Sequence, residues 1–208
     1  MSERHWPDTI GARTATVIAC CVAACLLPAC SLIFGRTPSV HHYTLGPPQG
    51  ETITQTKFIL RPGLVTGSEP YSDEGIAYQT SAYQLDSYRF HRWTDPPIVL
   101  VQNRLTDLLQ QPATAAPTSL PQMVLDARIK AFQEVDIDGN HNGLVEIEFC
   151  MTKQGRSEEP LWCKTIRHQN PVEGKRVEGA IPAIDKSFQQ VMSDLAGDIN
   201  AMTSVPPD

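Results

Sequence analysis

From Leu144 to Met151 the chain alternates strictly, with Val145, Ile147, Phe149 and Met151 on one row and Leu144, Glu146, Glu148 and Cys150 on the other. A period of two is strand periodicity, and a row carrying two glutamates implies that one face is covered while the other meets water. The segment therefore requires a sheet with its packing partner on one side. Leu161 to Arg167 resumes an extended run after a polar turn containing Gly155. If the two runs pair as an antiparallel hairpin centred between Arg156 and Ser157, Cys150 lies opposite Cys163 on the face turned away from Phe149 and Trp162. A disulfide is then expected in an oxidising compartment, with unpaired cysteines as the alternative.

The remaining elements fit this frame. His41 to Leu45 has the β-branched and aromatic character of an edge strand, and Lys57 to Leu60 begins another that ends near Arg61-Pro62. Ile76, Tyr78 and Thr80 alternate, then Leu85, Tyr88 and Phe90 return after a reversal at Ser81-Ala82. Tyr78, Tyr88, Phe90 and Trp93 are expected mostly in the core, with an exposed aromatic surface as the alternative. Thr94 or Asp95 can accept amide bonds at a helix start where Pro96 and Pro97 suit the opening turn. Ile98, Val101, Leu105, Leu108 and Leu109 form one helical face, and Gln111-Pro112 ends it before a linker or surface loop from Ala113 to Pro121. Val124 to Val135 reads as a strand with Leu125, Ala127, Ile129 and Ala131 alternating. Ile184, Phe188, Val191, Met192, Leu195 and Ile199 give a second helical stripe, with Pro182 near its start and Asn200 near its end. The expected class is α/β: a mixed, largely antiparallel sheet with two main amphipathic helices packed on one face.

The first 30 residues predict location. Arg4 and Arg13 precede an apolar run from Ala15 to Leu27, far short of the roughly 20 residues of a spanning helix. The run leads into Leu27-Pro28-Ala29-Cys30, which resembles a bacterial lipoprotein signal cut before the cysteine. An uncleaved anchor is the alternative, since Leu32, Ile33 and Phe34 extend the apolar stretch, although Pro28 and Ser31 interrupt it. Cys25, after Val22-Ala23-Ala24, is a second candidate for cleavage, whereas Cys30 has Leu27 three residues before it and an apolar core of ordinary length. Ser31 stands where an aspartate favours retention at the inner membrane in an enterobacterial-type system, so an outer-membrane anchor facing the periplasm is expected. Multiple acyl chains on Cys30 (palmitate among them) would hold it stably. The expected organisation is residues 1–29 as signal peptide, 30–42 as lipidated cysteine and flexible tether, 43–200 as the domain and 201–208 as a disordered tail.

Charge and motifs exclude several functions. The net charge is −6, and Glu3 and Asp8 balance Arg4 and Arg13 in the removed segment, so that charge belongs to the mature chain. A moderately acidic domain without a basic tract argues against nucleic acid. Asp138, Asn140 and Asn142 have the spacing of early calcium-loop ligands, but the twelfth position is Phe149 instead of a bidentate carboxylate. A tight reversal accounts for the glycines and asparagines of Asp138-Gly143. His41, His42 and His91 lack the partners a zinc site needs. No nucleophile-elbow pattern organises a Ser-His-Asp set, and no catalytic residue, metal or cofactor is expected.

Tyr88-Arg89-Phe90-His91-Arg92-Trp93, followed by Asp95-Pro96-Pro97 and the amphipathic helix, resembles the ABC-type transport auxiliary lipoprotein family, including accessory lipoproteins of MCE lipid-transport systems. The resemblance runs from Tyr43-Thr44-Leu45 to Ile199. In that family a Tyr-containing strand leads into an Arg-Trp-acidic-Pro helix start, matched by Tyr88, Trp93, Asp95 and Pro96. Ile59-Leu60-Arg61-Pro62 departs from the family's cleaner strand ending, and Cys150 and Cys163 are not its signatures. The resemblance implies a non-catalytic role beside an MCE-domain protein and an inner-membrane ABC permease/ATPase complex, and it admits a homo-oligomer; the charges of Arg89 and Arg92 themselves suit an acidic partner. A structural or outer-membrane-assembly lipoprotein is the alternative. Replacing Cys30 by alanine is expected to strand the precursor and abolish outer-membrane attachment while leaving the fold intact; normal acylation of that variant would move the assignment to Cys25.

Overall fold

Strand β5 (Gln122–Ile137) turns directly into β6 (Asn140–Lys153), and this long hairpin is the centre of the computed structural model. The structure describes residues 38–50, 52–53, 58–110, 120–155, 159–174 and 177–202. Only Asp138 and Gly139 lie between the two strands, with φ of 52° and 79°. Two successive left-handed residues match the twist of the flanking strands, which is why Asp-Gly suits this position. The turn is shorter than the Asp138–Gly143 reversal expected from sequence, because Asn140 already pairs with Ile137.

The remaining strands are β1 (His41–Tyr43), β2 (Ile59–Gly67), β3 (Gly75–Ser81), β4 (Gln84–Trp93) and β7 (Trp162–Pro171). With helices α1 (Pro97–Leu109) and α2 (Val177–Ala201) they form a mixed seven-stranded sheet with order β1-β4-β3-β5-β6-β7. Strand β2 lies off this path. It pairs parallel to residues 122–129 of β5, and β3 pairs parallel to residues 133–135, so one edge of β5 serves two strands in succession. A short 3-10 turn, Glu69–Tyr71, connects them, and the buried Tyr71 hydroxyl donates to the Gln133 side chain. The antiparallel meander expected from sequence is present as β5-β6-β7.

Two irregularities changed the expected strands. Gly63 and Leu64 bulge out of β2, where Asp126 Oδ1 accepts the Leu64 N–H at 2.8 Å. The strand therefore continues past Arg61-Pro62 to Gly67. In β5 a bulge between Ile129 and Ala131 shifts the row that faces the helices to Phe132 and Glu134, so Ala131 leaves the phase set by Leu125, Ala127 and Ile129. Bulges reverse side-chain phase in this way because they add one residue against an unchanged partner strand.

Both helices cover one face. Val145, Ile147, Phe149 and Met151 are fully buried there, α2 packs on β6 and β7, and α1 packs on β2. Trp93, Phe132 and Phe188 form an edge-to-face column with centroids 5.6 and 5.7 Å apart. Such pairs add about 0.5–1.5 kcal/mol each beyond area burial. Along β7, Lys164 reaches Asp198, His168 reaches Asp194, and Asn170 donates to Ser187 and Gln190. The side-chain spacing on one strand face thus meets successive turns of α2. Helix α2 starts at Val177, so Pro182 lies inside it. Proline there removes one amide donor and crowds the preceding turn, a cost of about 3 kcal/mol that the burial of the helix's apolar stripe offsets.

At Gly143 strand and helix touch backbone to backbone: a Cβ there would lie 2.3 Å from the Ile184 nitrogen. Gly143→Ala is expected to cost about 1–3 kcal/mol through overpacking, measured as a lower denaturation midpoint with the slope unchanged.

Candidate functional site

Two polar clusters are built where β1 and β4 meet the rest of the fold. The first depends on a wide irregularity in β4. Gly75 pairs with Arg92 and Ala77 with Ser87, so residues 88–91 stand opposite Ile76 alone. This kink aims Tyr88 at β5, where its hydroxyl donates to Glu134 Oε2 at 2.7 Å. His141 of β6 donates from Nε2 to Glu134 Oε1. A carboxylate only 6% exposed is thereby satisfied from β6, its neighbour, and from β4, one strand beyond β3, as buried charges require. Burial, then the hydrogen bond and charge of Glu134, push the Tyr88 phenol well above its ordinary range.

Rings continue from Tyr88 to the sheet edge. Tyr78 packs on Tyr88 with centroids 4.7 Å apart, and His91 meets Tyr88 edge-on. His91 stacks on His41 and Tyr43, and Tyr43 Oη is 2.9 Å from His91 Nδ1. Burial, and secondarily the charge of Glu178, raise the Tyr43 phenol. The expectation that most of Tyr78, Tyr88, Phe90 and Trp93 are core holds for Trp93 alone; the other three are half-buried. The kink in β4 is the reason, since it sends Tyr88 to a polar partner.

The second cluster was not foreseen from sequence. Arg104 of α1 is 7% exposed, its Nη2 donates to the Gly46 carbonyl at 2.6 Å, and its guanidinium lies 5.7 Å from the centroid of the Phe188 ring. Asp185 of α2 accepts the Gly46 N–H at 3.0 Å and the Gln189 amide at 2.8 Å. One residue of the incoming chain is therefore gripped through both its backbone groups by two helices. Burial raises the Asp185 carboxyl above its ordinary range, partly offset by the Gly46 N–H, the charge of Arg104 and Gln189. The signal for Arg104 was its phase, four residues after Leu100 and three after Val101, which sets a charge within the apolar face.

Other residues singled out from sequence are dispersed. Arg89 and Arg92 are exposed on β4, with Arg89 5.3 Å from the centroid of the Phe90 ring. Asp95 is exposed and caps nothing. Helix α1 is capped by Pro96, whose carbonyl accepts the Val99 and Leu100 N–H groups, because a side-chain acceptor is absent from proline and the two prolines carry the chain straight into the first turn. Cys150 pairs with Cys163 across β6 and β7, and their sulfurs are joined at 2.03 Å on the face opposite the helices. Cys30 and the preceding segment, the loop at 111–119, the turn at Arg156-Ser157 and residues 203–208 lie outside the described residues. Among the described residues no cluster of three His, Cys, Asp or Glu side chains is arranged to hold a metal ion, and no helix is long and apolar enough to cross a membrane.

This is a sheet-and-two-helix domain with no assembled catalytic set among the residues above. The chain belongs to the family of ABC-type transport auxiliary lipoprotein components, whose model matches residues 43–196. A crystal structure of a Xanthomonas campestris protein of family model DUF330 is similar, with TM-score 0.61 and 14% identity over 76% of this chain and 93% of that one. The crystal structure of an uncharacterized protein matches with TM-score 0.57 and 15% identity over 78% and 99% of the two chains. At such identities the likeness shows the fold alone. No match was found among curated proteins.

A raised carboxyl binds its proton more tightly in the folded than in the unfolded chain. The stability it contributes is full below the unfolded value and is lost as pH rises through the folded one. Relative to Asp185→Asn, the native protein is therefore expected to lose stability as pH rises from strongly acidic through this window, measured as the difference between the two denaturation midpoints at each pH.

Proposed function

We propose that the protein is a non-catalytic docking lipoprotein of an ABC/MCE-type lipid-transport system. Residues 1–29 are removed, Cys30 is acylated and inserted in the outer membrane, and the domain faces the periplasm. There it engages an MCE-domain protein that belongs to an inner-membrane ABC permease/ATPase complex, with Arg89 and Arg92 as contacts for acidic groups. The observation that carries this reading is the match of residues 43–196 to a transport auxiliary lipoprotein component. Two features support it. The helix-covered face is filled by its own side chains, including Phe132, Phe149 and Phe188, which favours docking over carriage of an acyl chain. A Cys150–Cys163 bond suits an oxidising compartment.

Partner-resolved crosslinking from intact membranes tests it. Recovery of MCE and transporter components is expected, reduced when Arg89 and Arg92 are both changed to glutamate. Exclusive recovery of outer-membrane assembly machinery, or a purified chain that retains a stoichiometric phospholipid and captures no transporter component, would overturn it.

A further inference from the structure

Among the described residues five large apolar side chains are exposed: Val40, Leu64, Tyr83, Leu85 and Val99. Two of them, Tyr83 and Leu85, lie at the turn end of the β3–β4 hairpin, and Val40 immediately precedes the strand that pairs with β4. Tyr83 is 100% exposed in the turn between β3 and β4, Leu85 is 37% exposed at the start of β4, and Val40 is 44% exposed immediately before β1. The other two are separate, Leu64 in the β2 bulge and Val99 on α1.

Strand direction gives this grouping a meaning. β1 runs parallel to β4, with His41 beside His91 and Tyr43 beside Trp93. The end of β1 at which the chain enters is therefore the end nearer the Ala82-Tyr83 turn. From His91 back to Tyr83 is eight residues of β4, at most about 26 Å at strand rise and less because residues 88–91 stand opposite Ile76 alone. From His41 back to Cys30 is eleven residues, which span at most about 36–40 Å when extended. A bilayer holding acyl chains on Cys30 thus lies within reach of the hairpin tip.

We infer that the β3–β4 hairpin is a second membrane contact, with Tyr83 and Leu85 seated at the lipid headgroup boundary of the bilayer that holds Cys30. The inference rests on the lipid-anchor reading of Cys30. Tyrosine suits that boundary because its ring is apolar while its hydroxyl stays hydrated. The nearby carboxylate, Asp86, accepts from the Gln84 amide at 2.6 Å and lies one residue beyond Leu85 toward the body of the sheet. In this arrangement Arg89 and Arg92 stand farther along β4, away from the lipid.

The full acylated protein carrying Tyr83→Trp is reconstituted in phosphatidylethanolamine–phosphatidylglycerol vesicles, with the unsubstituted protein as the background for Trp93 and Trp162. The added tryptophan is expected to shift its emission to shorter wavelength and to be quenched when brominated phospholipid is introduced. Full retention on vesicles with no such quenching overturns the hairpin contact and leaves the anchor standing, including the case in which the added tryptophan is shielded by a second copy or a protein partner. A chain whose mass shows no acyl group on Cys30 overturns the anchor and this inference together. Tyr83→Asp should leave thermal unfolding unchanged, since that side chain is 100% exposed, and should increase hydrogen exchange of the hairpin on vesicles; unchanged exchange is a second overturning result.

Discussion

Strand β5 pairs with β6 along one edge and gives its other edge first to β2 and then to β3. Each backbone group along such a strand needs a partner, so the handover must be sealed where β2 ends and β3 has yet to begin. Tyr71 stands beside that interval, with its hydroxyl on Gln133 and the Gln133 amide on Gln79 of β3. The bulge between Ile129 and Ala131 falls at the same point, and it sets which side chains the helices find above the second half of the strand. Phe132 reaches Trp93 and Phe188 because of it, and Glu134 reaches Tyr88. Core and polar cluster therefore derive from one irregular stretch of one strand.

How much of this could be read in advance depended on range. The β6 alternation identified a half-buried strand correctly, since Val145, Ile147, Phe149 and Met151 express their environment in adjacent positions. The two helices were visible for the same reason, and so was the class of fold. The parallel placement of β2 and β3 on β5 left no local mark, because either direction of pairing uses the same residues. Pro62 read as a strand end, whereas next to a bulge on a strand paired along one side its missing amide is tolerated.

The polar clusters were hidden for a related reason. A glutamate at 134 or an aspartate at 185 ordinarily predicts a solvated position. Both are drawn in by partners distant in sequence: Tyr88 lies 46 residues from Glu134, and Gly46 lies 139 residues from Asp185. Only Arg104 had a local sign, its place within an apolar helical phase. Charge placement of this kind follows from topology, so it becomes readable once the strand order is known.

Membership in a family of auxiliary lipoprotein components gives the grip on Gly46 a mechanical consequence. Tension applied to the chain ahead of His41 would first load the three parallel ladder positions of β1 along the strand. Whatever passed them would arrive at a residue held by α1 on its carbonyl and by α2 on its N–H. The pull would thus be divided between two helices packed on the sheet, and the chain would enter the domain at a rigid mount.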